Sequence, residues 1–159
     1  MSERTEALAT QFEQVNNDLI SAVQSMSDEQ WKKVCSGETW SVGVTAHYIA
    51  TSHQPITRLV QTAASGGQMP GITPEMIDAG NAQHAQQAAN CTKEETLALL
   101  RTNGATAAST VRGLSDEQLD RSAPLLGGPP TTAQQMAERV LIGHVQEHHN
   151  SIRAAVSGK

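Results

Sequence analysis

Apolar residues return every three or four positions along four long stretches of this chain, and no stretch alternates with the period of two that marks a half-buried strand. The first stripe is Leu8, Phe12, Val15, Leu19, Ala22 and Val23, a helix ending near Ser25. Ser41 is placed to cap a second helix, which carries Val42, Val44, Ala46, His47, Ile49 and Ala50 and resumes at Ile56, Leu59 and Val60. Pro55 falls inside that pattern and predicts a kink. Thr92 and Glu95 form a capping box ahead of Leu97, Leu100, Gly104, Ala107, Val111 and Leu114. The fourth helix starts at Thr131 or Thr132, runs to about Val156, and turns Ala133, Ala137, Val140, Leu141, His144, His148, Ile152 and Ala155 inward.

Shorter elements connect the long ones. Ser27-Asp28-Glu29-Gln30 is a capping box that predicts a short helix closing at Gly37 and carrying Trp31 and Val34 toward the core. The same four letters recur at Ser115-Asp116-Glu117-Gln118, ahead of Leu119. Thr73-Pro74 opens a segment from about Glu75 to Ala89 whose apolar face is weak. Residues 65–71 and 125–130 are rich in glycine and proline and read as loops. The pattern predicts an all-α protein: one domain over residues 1–159, a four-helix bundle with short connecting helices.

Composition narrows the picture. With 38% hydrophobic residues and only 3% aromatic ones, the core is expected to be built from aliphatic side chains on closely packed helices. A net charge of −5, spread singly, offers neither a basic stripe for nucleic acid nor a polybasic membrane patch. No apolar run reaches the roughly 20 residues of a membrane helix, and the polar N-terminus does not read as a signal peptide, so a cytoplasmic protein is expected. Cys35 and Cys91 lack any CxxC spacing and read as reduced thiols.

The candidate chemistry lies in the histidines. His144 and His148 are four residues apart, hence on one side of a helix, where they serve either as a metal-binding pair or as part of a polar seam. His47 lies on the second helix beside Val44 and Ala50, and helices packed about 8–10 Å apart allow three imidazoles to converge. Three nitrogen ligands with an open position are the pattern of a catalytic zinc site. His149 points about 100° away from His148 and is expected at the rim, or in place of His148 if the helix is distorted. His53, near Pro55, reads as a satisfied or surface histidine, with a supporting role at the site as the alternative. His84, on the weak helix, and Tyr48, beside His47, are candidates to contact a small-molecule substrate. Trp40 reads as a hydrophobic plug before the second helix, and Glu138 and Glu147 as solvated charges or acceptors for a ligand histidine.

The segments Trp40-Ser-Val-Gly-Val-Thr-Ala-His47-Tyr-Ile, with Ser52-His53 downstream, and His144-Val-Gln-Glu-His148-His149-Asn-Ser-Ile152 resemble the two signature stretches of the DinB and YfiT-like superfamily. That superfamily includes the metal-binding bundle of mycothiol-dependent maleylpyruvate isomerase. The SDEQ turns and Asn81-Ala82-Gln83 are similar as well, so the resemblance covers nearly the whole chain. It implies an up-down-down-up bundle, often dimeric, with a divalent metal on His47, His144 and His148. Zinc is the expected metal, with nickel as an alternative.

Characterised members of the superfamily act with low-molecular-weight thiols such as mycothiol or bacillithiol. A metal that deprotonates a coordinated thiol makes it a nucleophile. The expectation is therefore a metal-dependent thiol S-transferase or related detoxification enzyme that takes such a thiol as cosubstrate. The alternative is a non-catalytic metal-binding or stress-response bundle. Helix faces not used by the core leave room for a homodimer.

Overall fold

The structure, a computed structural model, describes residues 2–158. Helix α1 (Glu3–Gln24) begins at Ser2, whose side chain accepts from the Thr5 amide while Thr5 reaches back to the cap. Helix α2 (Asp28–Trp31) starts at the expected Ser27–Gln30 capping box, but lasts a single turn. It therefore ends well before Gly37. Trp31 packs against the core, whereas Val34 is 63% exposed, because it pairs with Ser41 in an isolated bridge that turns its side chain outward.

Helix α3 (Val42–Ser65) is capped by Ser41, passes through Pro55 without interruption, and stops at Gly66, whose φ of 73° suits the left-handed C-terminal turn. Pro55 is solvent-exposed. Thr73 caps α4 (Pro74–Gln87), which has no buried residue, in keeping with its weak apolar pattern. Helix α5 (Lys93–Arg112) starts at Thr92, and α6 (Asp116–Asp120) at the second SDEQ box.

Part of the region read as a loop is a small antiparallel hairpin. Strands β1 (Ser122–Pro124) and β2 (Pro130–Thr132) pair Ser122 with Thr132 and Pro124 with Pro130. Three residues per strand are too few for an alternating pattern to be legible. Thr132 then caps α7 (Ala133–Met136), which runs through a π-helical turn at Ala137–Ile142 into α8 (Gly143–Val156). These three pieces form the fourth long helix.

Side-chain contacts fix the directions of the four. Asn16 reaches the Leu100 carbonyl and Arg112 reaches Glu13 and Glu6, so α1 and α5 are antiparallel. Asn103 binds the Ala50 carbonyl, and Thr57 and Gln61 flank a groove with Thr106 and Thr110, so α3 and α5 are parallel. Arg4 meets Gln134, and Val15 and Asp18 lie by Gln146, His149 and Arg153, so α1 and the fourth helix are parallel. The order is up-down-down-up.

That topology dictates what covers the bundle. Parallel neighbours need a return connection along their length, about 36 Å for a 24-residue helix. The connection here is residues 66–92, and α4 is its helical part.

The core is aliphatic, as the composition required, with Phe12 buried among the aliphatic side chains. Phe12, Leu19, Ile49, Leu100 and Ile152 are fully buried. Each such side chain stabilises the fold by about 1.5–3 kcal/mol relative to an exposed one. Among the described residues, no helix is long and apolar enough to cross a membrane.

Candidate metal centre

The π-helical turn decides which histidines face the core. An α-helix continued from Ala137 would bury positions 141, 144, 148 and 152. The i→i+5 turn shifts that stripe by one residue. The buried stripe of α8 is Val145, His149 and Ile152, and His144 and His148 stand half-buried on the next face. His149, expected at the rim, is thus a core residue with 4% exposure. Its Nε2 is buried without a partner, and burial, aided by Arg153, pushes it down to about 4.

His144 and His148 are neighbours one turn apart, with ring centroids 4.5 Å apart and planes at 71°. Tyr48 packs on both, at 5.1 and 5.4 Å, and its ring also contacts Trp40 at 5.1 Å and His84 at 5.4 Å. His47 stacks on His84 with centroids 5.1 Å apart, and His47 Nδ1 lies 2.9 Å from His84 Nε2. The cluster thus joins the first turns of α3, the last turn of α4 and the first two turns of α8. His53 is elsewhere: it is 1% exposed, edge-on to Phe12, and hydrogen-bonded to Asn16.

Burial controls the protonation of these rings. His144 is pushed down to about 3, first by desolvation and then by His148 and His53. Desolvation also lowers His47, with Glu95 opposing, and lowers His84, with His47 adding to the effect. Neutral imidazole is the form that ligates metals. Burial raises Tyr48, so its phenol keeps its proton and can donate a hydrogen bond.

Sequence reasoning missed Glu38. Its Oε2 lies 2.6 Å from His148 Nδ1, and its Oε1 is buried without a partner. Nothing in the sequence spacing marks a residue 110 positions from His148 as its neighbour.

The cluster is rich in donors without yet forming a closed ligand set. Among the described residues, no three His, Cys, Asp or Glu side chains come together tightly enough to hold an ion. The ring partner of His47 is His84. Even so, the donor chemistry suits a divalent transition metal. Two imidazoles touch, one of them, His144, held neutral; His144 Nδ1 and His84 Nδ1 are buried without partners, and a carboxylate backs His148.

A four-helix bundle with imidazoles from facing helices gathered at one cluster is a familiar scaffold for metal sites. The chain belongs to the DinB superfamily, whose model matches residues 11–152. Among solved structures it is similar to YfiT from Bacillus subtilis, described as a probable metal-dependent hydrolase with an unusual four-helix bundle topology. The identity is 22%, with 99% of this chain and 87% of that chain covered, at a TM-score of 0.73. It is also similar to the mycothiol-dependent maleylpyruvate isomerase, at 13% identity and a TM-score of 0.73. There, 96% of this chain covers 63% of the isomerase chain, and a histidine-to-alanine variant of that enzyme matches over the same spans at 0.74. At such identities the likeness shows the fold. No curated protein matches the chain.

Proposed function

We propose that the protein is a metal-dependent enzyme that joins a low-molecular-weight thiol, such as mycothiol, to an electrophilic small molecule. The ligands in this reading are His47, His144 and His148. The observation that carries it is the His144–His148 contact, with His144 held neutral and its Nδ1 buried without a partner. A buried imidazole nitrogen without a partner is costly, and a metal site is one setting in which imidazoles persist on an otherwise apolar face.

A zinc ion held by these histidines would favour the thiolate form of a coordinated thiol at neutral pH. The chain's own residues do the rest. Trp40 and Tyr48 wall the histidines and exclude water, and the Tyr48 phenol, still protonated, donates to a polar group of the substrate. His84 on α4 covers the cluster from the crossover side, so substrate contact with α4 belongs to this reading. Activity in the cytoplasm, as a homodimer, is part of the same proposal.

One observation favours the non-catalytic alternative. The His47–His84 contact puts a fourth imidazole within reach of the ligand set, and a fourth protein ligand would fill the position that a thiol needs. The test begins with metal analysis of untagged protein after exposure to zinc or nickel. Wild type is expected to hold one equivalent, lost in His144→Ala and His47→Ala. Metal-dependent depletion of a bacterial thiol by a generic electrophile then decides between enzyme and binder. A wild type without stoichiometric metal refutes the site.

A further inference from the structure

We infer that Glu38 is a positioning residue for His148, and that the strained turn at Thr39 exists to deliver it. The inference rests on the metal-site reading given above for what the positioned nitrogen does, but the hydrogen bond itself is independent of that reading.

A carboxylate accepts and does not donate, so the 2.6 Å contact between Glu38 Oε2 and His148 Nδ1 places the ring hydrogen on Nδ1. In the neutral ring, the form that ligates a metal, the lone pair is then on Nε2. This is the arrangement by which a carboxylate behind a histidine fixes the tautomer, orients the ring and raises its basicity as a ligand. Glu38 is not an incidental surface partner. Its side chain is 10% exposed, and its Oε1 is buried with no partner of its own. A carboxylate so poorly hydrated is expensive to keep unless the fold holds it there for one contact.

The backbone supplies that hold. Thr39 has φ of 63°, a left-handed conformation that a β-branched residue rarely adopts. Its side chain is exposed, so packing of the threonine does not explain the strain. What fixes the turn is a ladder around it. Thr39 N donates to the Cys35 carbonyl at 2.8 Å, Cys35 N to Trp40 O at 2.8 Å, and Val42 N to Lys33 O at 2.7 Å. Gly37 lies against α8, where a Cβ would come 3.8 Å from Ser151 Oγ, less than a turn past His148. The turn between α2 and α3 thus runs beside α8, and Glu38 joins it to the second histidine of the pair. Strain that the surroundings over-determine is characteristic of functional sites.

Two measurements on the full chain test this. The first reads the His148 tautomer by long-range nitrogen-15 NMR at pH 7.5 without added metal. The expected result is Nδ1–H in wild type and a loss of that preference in Glu38→Leu. The second reads zinc affinity by chelator competition, with a 10–100-fold loss expected in Glu38→Leu and partial recovery in Glu38→Gln, at melting temperatures that show both variants folded.

An unchanged tautomer in Glu38→Leu overturns the inference. Wild-type zinc affinity in Glu38→Leu, while His148→Ala loses the metal, also overturns it and leaves the metal site standing. If wild type binds no zinc, the metal reading fails and the tautomer result alone decides the role of Glu38. Should Glu38→Leu not fold, Glu38→Gln carries the test, since a neutral acceptor must weaken the Nδ1–H preference.

Discussion

His53 donates its Nε2–H to Asn16 Oδ1 across 2.9 Å in the middle of the bundle, and Asn16 passes the chain on by donating Nδ2–H to the Leu100 carbonyl at 3.0 Å. One side chain thereby ties α3 to α1 and α1 to α5. With 1% exposure, His53 has no access to water, and burial pushes it down to about 4. It therefore stays neutral in the fold at pH values where the unfolded chain, near the ordinary 6.5, takes up a proton. The stability this contributes is complete above pH 6.5 and is lost as the pH falls from 6.5 toward 4, in total about 3 kcal/mol. His53→Gln, which retains an amide donor, is expected to be less acid-sensitive over that interval. Urea unfolding at pH 7 and pH 4.5 measures it, and equal pH slopes for the two proteins would refute the linkage.

Gly104 makes room for that network. A Cβ built there falls 2.3 Å from Asn16 Nδ2 and 3.2 Å from its Cγ. Asn16 is held by both of its hydrogen bonds, so it cannot swing aside without leaving buried polar groups unpaired. Gly104→Ala should therefore destabilise the protein by about 1–3 kcal/mol, even though alanine is the better helix former by about 1 kcal/mol. In an Asn16→Ala background the clash is gone, and the same substitution should stabilise by up to about 1 kcal/mol. A double-mutant cycle by denaturant unfolding checks the reversal of sign. Additive effects would mean that the glycine serves some other purpose.

The apolar periodicity carried the four long helices, and the Ser, Thr and Gln caps carried their starts, because both are local. Ser41 and Thr92 accept the amide hydrogens expected of them, Thr132 rather than Thr131 caps the fourth helix, and Thr73 caps the helix that Pro74 opens. What was not legible depends on accumulated register or on distant pairs. The π-helical turn at Ala137–Ile142 has no signature in residue type, yet it moves His149 into the core and leaves His144 and His148 on its flank. Glu38 reaches His148 only because Thr39 takes a backbone conformation that no propensity favours. His84 was placed near the cluster through the weakness of its helix, but its partner His47 follows from the parallel α3 and α5, which force the crossover past the site.

The His47–His84 contact separates the two functional readings. If three histidines hold the metal and leave a position for a thiol, His84→Ala should retain one equivalent of metal and keep its affinity within a few-fold of wild type. If His84 is a fourth ligand, the same variant should lose affinity as severely as His144→Ala. Cobalt titration followed by visible absorption gives the affinity of each variant, and the comparison of His84→Ala with His144→Ala distinguishes the cases. Loss of the metal in His84→Ala would move the protein to the class of closed, non-catalytic sites.

The strain at Thr39 is measurable without any metal. A left-handed β-branched residue costs on the order of 1–3 kcal/mol, whereas glycine adopts that conformation freely at an entropic cost of about 0.5–1 kcal/mol. Thr39→Gly should therefore raise stability by about 1 kcal/mol, or about 2–4 °C in a domain of this size. Glu38 should remain on His148, because the Thr39 amide still donates to Cys35. Thr39→Pro should act in the opposite direction. Proline fixes φ near −65° and removes the N–H that Cys35 accepts, so the turn must open and draw Glu38 away from the histidine. Differential scanning calorimetry of the two variants gives the stabilities, and the His148 Nδ1–H resonance reports the contact. Equal melting temperatures for Thr39→Gly and wild type would mean that no strain is stored at this turn.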